Sequence, residues 1–255
     1  MGIFLNALFT ISLSLFLAAP LMAGPYDTGF GQLLSRDAAA TAVPLPLPPV
    51  PEAQRSDECV ELPSIGCYYS GAPAGAAVRL LIYYRGWVSD TNYPGSGLSG
   101  GHISGRADIL RSSRAALSFY KLKQLAMEKR IAVLVTGSSD ISVKRSDVDR
   151  LQAGLGVTFG SVSVAAHSGG YVGLSSSIDS FSGLDKIILL DPFYSDFSAK
   201  IGAQVRQGAV CTGFYTPHNA ARYKQFFSGI GCRAEARTSP DDHEHYVPAS
   251  LLKSF

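Results

Sequence analysis

The sequence predicts an α/β protein built on a mostly parallel sheet. Three observations predict it. Four short apolar runs are nearly continuous: Val78–Tyr84 (VRLLIYY), Ile131–Thr136 (IAVLVT), Ser161–Ala166 (SVSVAA) and Lys186–Leu190 (KIILL). Strands read this way when helices cover both faces of the sheet. Helix-compatible stretches lie between the runs, and that alternation implies right-handed crossovers and parallel pairing. The chain has 255 residues, 46% apolar and 16% charged, enough apolar material for a sizeable core.

Residues 3–23 (IFLNALFTISLSLFLAAPLMA) are almost wholly apolar and end in Pro20 and small residues. They read as a secretory signal, cut between Ala19 and Ala23, and the protein as exported. An uncleaved anchor is the alternative, because about 20 apolar residues can span a bilayer. Residues 24–55 contain TAVPLPLPPVPEAQ, a Pro/Ala-rich linker that suits neither helix nor central strand. The folded domain is expected over residues 56–255, one domain of common size.

Within the domain, two further strands are expected. One is Ala209–Tyr215 (AVCTGFY); the other is Arg233–Arg237 (RAEAR), whose polar alternation suits an edge. Arg106–Lys129 carries Ile109, Leu110, Ala116, Leu117, Tyr120, Leu122 and Leu125 at roughly helical period. Ser146–Ala153 opens with Ser146 and Asp147, a cap signal. Gly169–Ile178 is a helix after a turn, and Asn219–Ser228 runs from an N-cap Asn to Gly229. Val247–Lys253 closes the chain with Pro248 in its first turn. No internal repeat is found.

The formal net charge is +2, too small to argue for nucleic acid or an acidic lipid surface as partner. Cys59, Cys67, Cys211 and Cys232 are an even set in an exported chain, which favours disulfides. Proximity suggests Cys59–Cys67 and Cys211–Cys232 among three possible pairings. No C-x-x-C pair occurs and the cysteines lack zinc spacing, so no metal site is expected of them.

The strongest chemical signal is SVSVAAHSGGYVGL. A strand runs into Ala166-His167-Ser168-Gly169-Gly170, and a helical segment follows. A nucleophile elbow has this form, with small residues two before and two after the serine. The turn sets Ser168 at a helix N-terminus, where the Gly169 amide can face a developing oxyanion. A serine needs a base, and of the five histidines only His218, His243 and His245 follow it. His243 and His245 lie in DDHEHYVPASLL, between the last strand and last helix. His245 is favoured because it abuts the closing helix, with His243 as the alternative. His218 reads as a solvated loop residue, and His167 as a side chain packing or hydrogen-bonding the elbow.

The acid should end a strand and reach the other ring nitrogen of the base. Asp191, directly after KIILL, meets that description; Asp196 is the alternative. The second oxyanion donor is expected in YYRGWVSD, where Gly86 permits close approach and Trp87 supplies the amide. Arg85 either steers an anionic substrate or pairs on the surface. GSGLSG at Gly95–Gly100 matches a dinucleotide fingerprint, but it lies some ten residues beyond its strand. It reads instead as a flexible loop or lid. DDHEH resembles metal-ligand composition without helical context or a partner cluster. No metal or other cofactor is called for.

YYRGW, AAHSGGY, LLDPFY and HEHYVP, in that order, give residues 78–255 a resemblance to the α/β-hydrolase superfamily. The resemblance implies a three-layer α/β/α sandwich with its N-terminal strands reduced to Cys59–Ser70. It also implies a Ser-His-Asp triad acting on an ester or amide in a small molecule, lipid or peptide. Trp87, Tyr93, Tyr171, Phe193 and Tyr194 suggest a partly apolar pocket. A non-catalytic, hydrolase-like binding protein of the cell envelope is the competing expectation.

Overall fold

The structure, a computed structural model, describes residues 59–255 apart from 74, 92, 101, 192–196, 216, 218–219 and 238–243. The expected signal segment and linker lie outside the described residues, as do Phe193, Tyr194, Asp196, His218, Asn219 and His243.

Among the described residues, eight strands form one sheet: β1 Val60–Leu62, β2 Gly66–Ser70, β3 Ala77–Tyr84, β4 Ala132–Thr136, β5 Thr158–His167, β6 Lys186–Leu190, β7 Val210–Tyr215 and β8 Arg233–Ala236. Their order across the sheet is β1-β2-β4-β3-β5-β6-β7-β8. The sheet is mixed rather than the mostly parallel one expected. β1 pairs antiparallel with β2, and β2 antiparallel with β4, whereas β4, β3, β5, β6, β7 and β8 pair in parallel. A short tight turn joins β1 and β2, which only an antiparallel pair can use. The expected polar edge strand is β8, at one margin of the sheet.

The described helices are α1 Arg106–Phe119, α2 Leu122–Lys129, α3 Arg145–Leu155, α4 Tyr171–Ser177, α5 Ser198–Arg206, α6 Ala220–Gly229 and α7 Val247–Ser254. They cover both sheet faces. On one face, Leu81, Tyr83, Val133 and Ala165 pack with Leu117 of α1, Leu125 of α2 and Leu251 of α7. On the other, Leu80, Ile82, Val164 and Ile187 pack with Leu151 of α3, Leu174 of α4, Ile201 of α5 and Phe227 of α6. Successive strand residues alternate between faces, so β3 and β5 must be apolar on both. That is why they read as continuous runs.

Two local expectations are corrected, and one helix is added. Arg106–Lys129 is two helices, separated at Lys121, whose φ of 51° is left-handed and cannot continue a helix. α3 is capped from Lys144 rather than Ser146, with the Asp147 carboxylate accepting the Lys144 amide at 2.7 Å. α5 was not anticipated. Its sequence SAKIGAQVR offers only Ile201 and Val205 as large apolar residues at helical spacing and carries Gly202 mid-helix.

The cysteines pair as proximity suggested. Cys59–Cys67 ties the start of β1 to β2, and Cys211–Cys232 ties β7 to the residue before β8. Among the described residues, no helix is long and apolar enough to cross a membrane.

Candidate active site

β3 and β5 are neighbours in the sheet, yet the chain leaves β3 toward β4 on one side and β5 toward β6 on the other. In open α/β sheets such a reversal is where a crevice forms at the C-terminal strand ends, the usual ligand site. The loops that flank it begin at Arg85 and Ser168.

Ser168 follows the last residue of β5 and has φ of 46°. An L-residue there costs roughly 1 kcal/mol, and such strain clusters at functional positions. Residues 168–170 form a single tight 3-10 turn, and α4 follows. The small neighbours are required by contact. A Cβ on Gly170 would stand 2.2 Å from the Tyr84 carbonyl oxygen, and one on Gly173 2.4 Å from that of Ile141. Ala166 is fully buried against its β3 partner Tyr84. Ser168 itself is half-buried. The strand–turn–helix form with strain at the serine matches a nucleophile elbow.

The loop after β3 meets this turn directly. A Cβ on Gly86 would lie 2.9 Å from the His167 carbonyl oxygen and 3.0 Å from Ser168 Cβ, and the Trp87 indole covers the α-carbon of Gly169. The loop is organised by Arg85, which is neither a surface pair nor a substrate-facing cation. Its side chain is buried. The guanidinium donates to the carbonyls of Gly137 (2.7 Å), Gly86 (3.0 Å), Val88 (3.2 Å), Ser99 (2.6 Å) and Gly100. Five carbonyl contacts are what a forked, planar donor set can serve. Burial lowers the Arg85 pKa to about 10. The Gly95–Gly100 segment is thus fastened at its end by a buried cation, instead of hanging as a free lid. Beyond it, His102 packs edge-on against Trp87 at 5.0 Å between ring centres, with Nδ1 3.3 Å from Asp140.

Asp191 follows β6, one strand over from the elbow, and its φ of 56° is tolerated by aspartate better than by most residues. Its side chain is 8% exposed and lies 3.3 Å from Nη2 of Arg237. Arg237 follows β8, is buried, and sits 4.5 Å over the Tyr246 ring. Of the two candidate bases, His245 is exposed, with its ring 5.9 Å from that of Phe119, while His243 lies outside the described residues. Ser168, Asp191 and the turn bearing His245 therefore share the C-terminal end of the sheet with Gly86, Trp87 and Gly169.

Sequence reasoning missed what lies beneath the elbow. His167 is fully buried, with Nδ1 3.4 Å from Oε2 of a fully buried Glu244. The Tyr120 hydroxyl donates to the same oxygen at 2.5 Å. The His167 ring stands 5.8 Å from Tyr120 and 6.2 Å from Tyr246. Burial pushes the Tyr120 and Tyr246 phenols well above their usual range. The sole sequence sign was a carboxylate between two histidines, in a run read for its histidines and its metal-ligand composition. No family model and no curated protein matches this chain.

Proposed function

We propose that the chain is an exported serine hydrolase of the α/β-hydrolase type, cleaving an ester or amide bond. The observation that carries the reading is the left-handed Ser168 at the turn from β5 into α4, beside the crevice where the strand order reverses. A strained serine in that place supports a nucleophile.

Ser168 Oγ attacks the carbonyl carbon of the substrate, and its proton passes to the ring nitrogen of the base. The tetrahedral oxyanion is held by the amides of Gly169 and Trp87. The imidazolium returns the proton to the departing alcohol or amine, leaving an acyl-serine that water hydrolyses by the same route. His245 is the proposed base, with His243 of the same turn as its alternative, and Asp191 orients it. A carboxylate has lone pairs enough to serve both Arg237 and an imidazole. The two disulfides fit an oxidising compartment, and so an exported protein.

The exposure of His245 and the Asp191–Arg237 contact favour a second reading, a hydrolase-like binding protein without catalysis. Labelling with a fluorophosphonate separates the two. The expected result is one label per folded chain, lost in Ser168→Ala. Folded wild-type protein that takes no label, or equal labelling of Ser168→Ala, overturns the enzyme reading.

A further inference from the structure

Glu244 stands in the turn between β8 and α7, flanked by the two histidines from which the base is drawn. Its side chain is 0% exposed. A carboxylate so placed is costly unless polar groups converge on it. Here they come from separate elements. Tyr120, just past α1, donates its hydroxyl, and His167, the last residue of β5, brings Nδ1 to 3.4 Å. Because burial raises the Tyr120 phenol, that group remains a donor. Among the described residues, Tyr83 of β3, Arg85 just past it, Asp191 after β6, Arg237 after β8 and Tyr246 are further charged and titratable groups around it. The Glu244 carbonyl accepts the Val247 amide at 3.1 Å, which fixes the turn to the start of α7.

We propose that Glu244 is a positioning residue whose buried carboxylate pins the histidine-bearing turn to the residue immediately before the nucleophile. Base and serine are thereby held in register by a side chain, independently of the loop that joins β8 to α7. The inference rests on the serine-hydrolase reading. The Tyr120 hydrogen bond is directional and the approach to His167 is electrostatic, so together they favour one placement of the turn, which an apolar residue of equal size would not do. Catalytic geometry responds steeply, since a displacement of about 1 Å can lower a rate by about 10²-fold.

The test compares Glu244→Gln, which keeps an acceptor for Tyr120, with Glu244→Leu, which keeps only bulk. Two quantities are read in full-length protein with a cooperative melt. One is the second-order rate of fluorophosphonate labelling; the other is the rate of trypsin cleavage after Arg237. In Glu244→Leu, labelling is expected to fall about 10²-fold while cleavage speeds up. In Glu244→Gln both are expected to stay within about tenfold of wild type. Substrate turnover should lose kcat and keep KM, as an interaction felt in the transition state does. Wild-type protein that takes no label overturns the hydrolase reading, and cleavage alone then decides the pin. Folded Glu244→Leu that labels or is cleaved at the wild-type rate overturns the pin and leaves that reading standing. If Glu244→Leu does not fold, Tyr120→Phe substitutes for it: labelling about tenfold slower supports the pin, and unchanged labelling overturns it.

Discussion

Trp87 lies across the α-carbon of Gly169 so closely that a Cβ there would stand 2.3 Å from its ring Cδ1. The contact joins the two loops that flank the crevice, one leaving β3 and the other leaving β5. Gly169→Ala is therefore expected to displace the indole. Overpacking of this kind costs about 1–3 kcal/mol, at the low end here because Trp87 is partly exposed. Urea unfolding checks it. The double variant Gly169→Ala/Trp87→Ala should recover most of the loss, because the clash disappears with the ring.

Ser168→Gly should separate stability from chemistry. Glycine removes the left-handed strain of roughly 1 kcal/mol, yet loosens the unfolded chain by about 0.4–1 kcal/mol. The expected net change is close to zero or slightly stabilising, whereas the same exchange at an ordinary strand end would destabilise. Thermal melts and labelling together check this: the melting temperature holds while labelling disappears.

Asp191 and Arg237 share a nearly buried contact at 3.3 Å. A double-mutant cycle with Asp191→Asn and Arg237→Met should give a coupling of about 1–3 kcal/mol, as expected for residues in one ionic network. Labelling distinguishes the roles. Asp191→Asn is expected to slow it by several orders of magnitude if the carboxylate orients the base, and Arg237→Met far less. Equal, small effects would make Asp191 structural only.

Stability should fall in alkali. Burial raises the pKa of Tyr68, Tyr83, Tyr84, Tyr120 and Tyr246, while an unfolded phenol titrates near 10. Above about pH 10 the native state keeps protons that the unfolded chain gives up. The stability from these phenols is whole below about pH 10 and is lost as pH rises, by up to about 1.4 kcal/mol per pH unit for each group. Arg85 works in the opposite sense, since its pKa is lowered to about 10, but it is one group against five. Urea unfolding from about pH 9 to about pH 11, followed by phenolate absorbance, should show these tyrosines ionising as the fold is lost.

The central strands were legible because burial on both faces leaves little but Val, Ile, Leu and aromatic residues in them. The elbow was legible for a related reason: contacts at Gly169, Gly170 and Gly173 exclude every side chain, so the glycines appear in the sequence. The antiparallel pairing of β2 was not, because GCYYS carries no signal of direction. Arg85 was misread and Glu244 missed because a charged residue in a polar loop is ordinarily solvated. Some of the groups that make their burial tolerable come from far along the chain, Gly137 lying 52 residues from Arg85 and Tyr120 124 residues from Glu244.

Arg85 grips the rim of the crevice through main-chain oxygens, which every residue type possesses. At Ser99 and Gly100, where no close packing excludes a side chain, residues can therefore change while that anchor stays in place. On the serine-hydrolase reading, new contacts to a substrate would arise there by simple substitution, without rebuilding the wall that bears them.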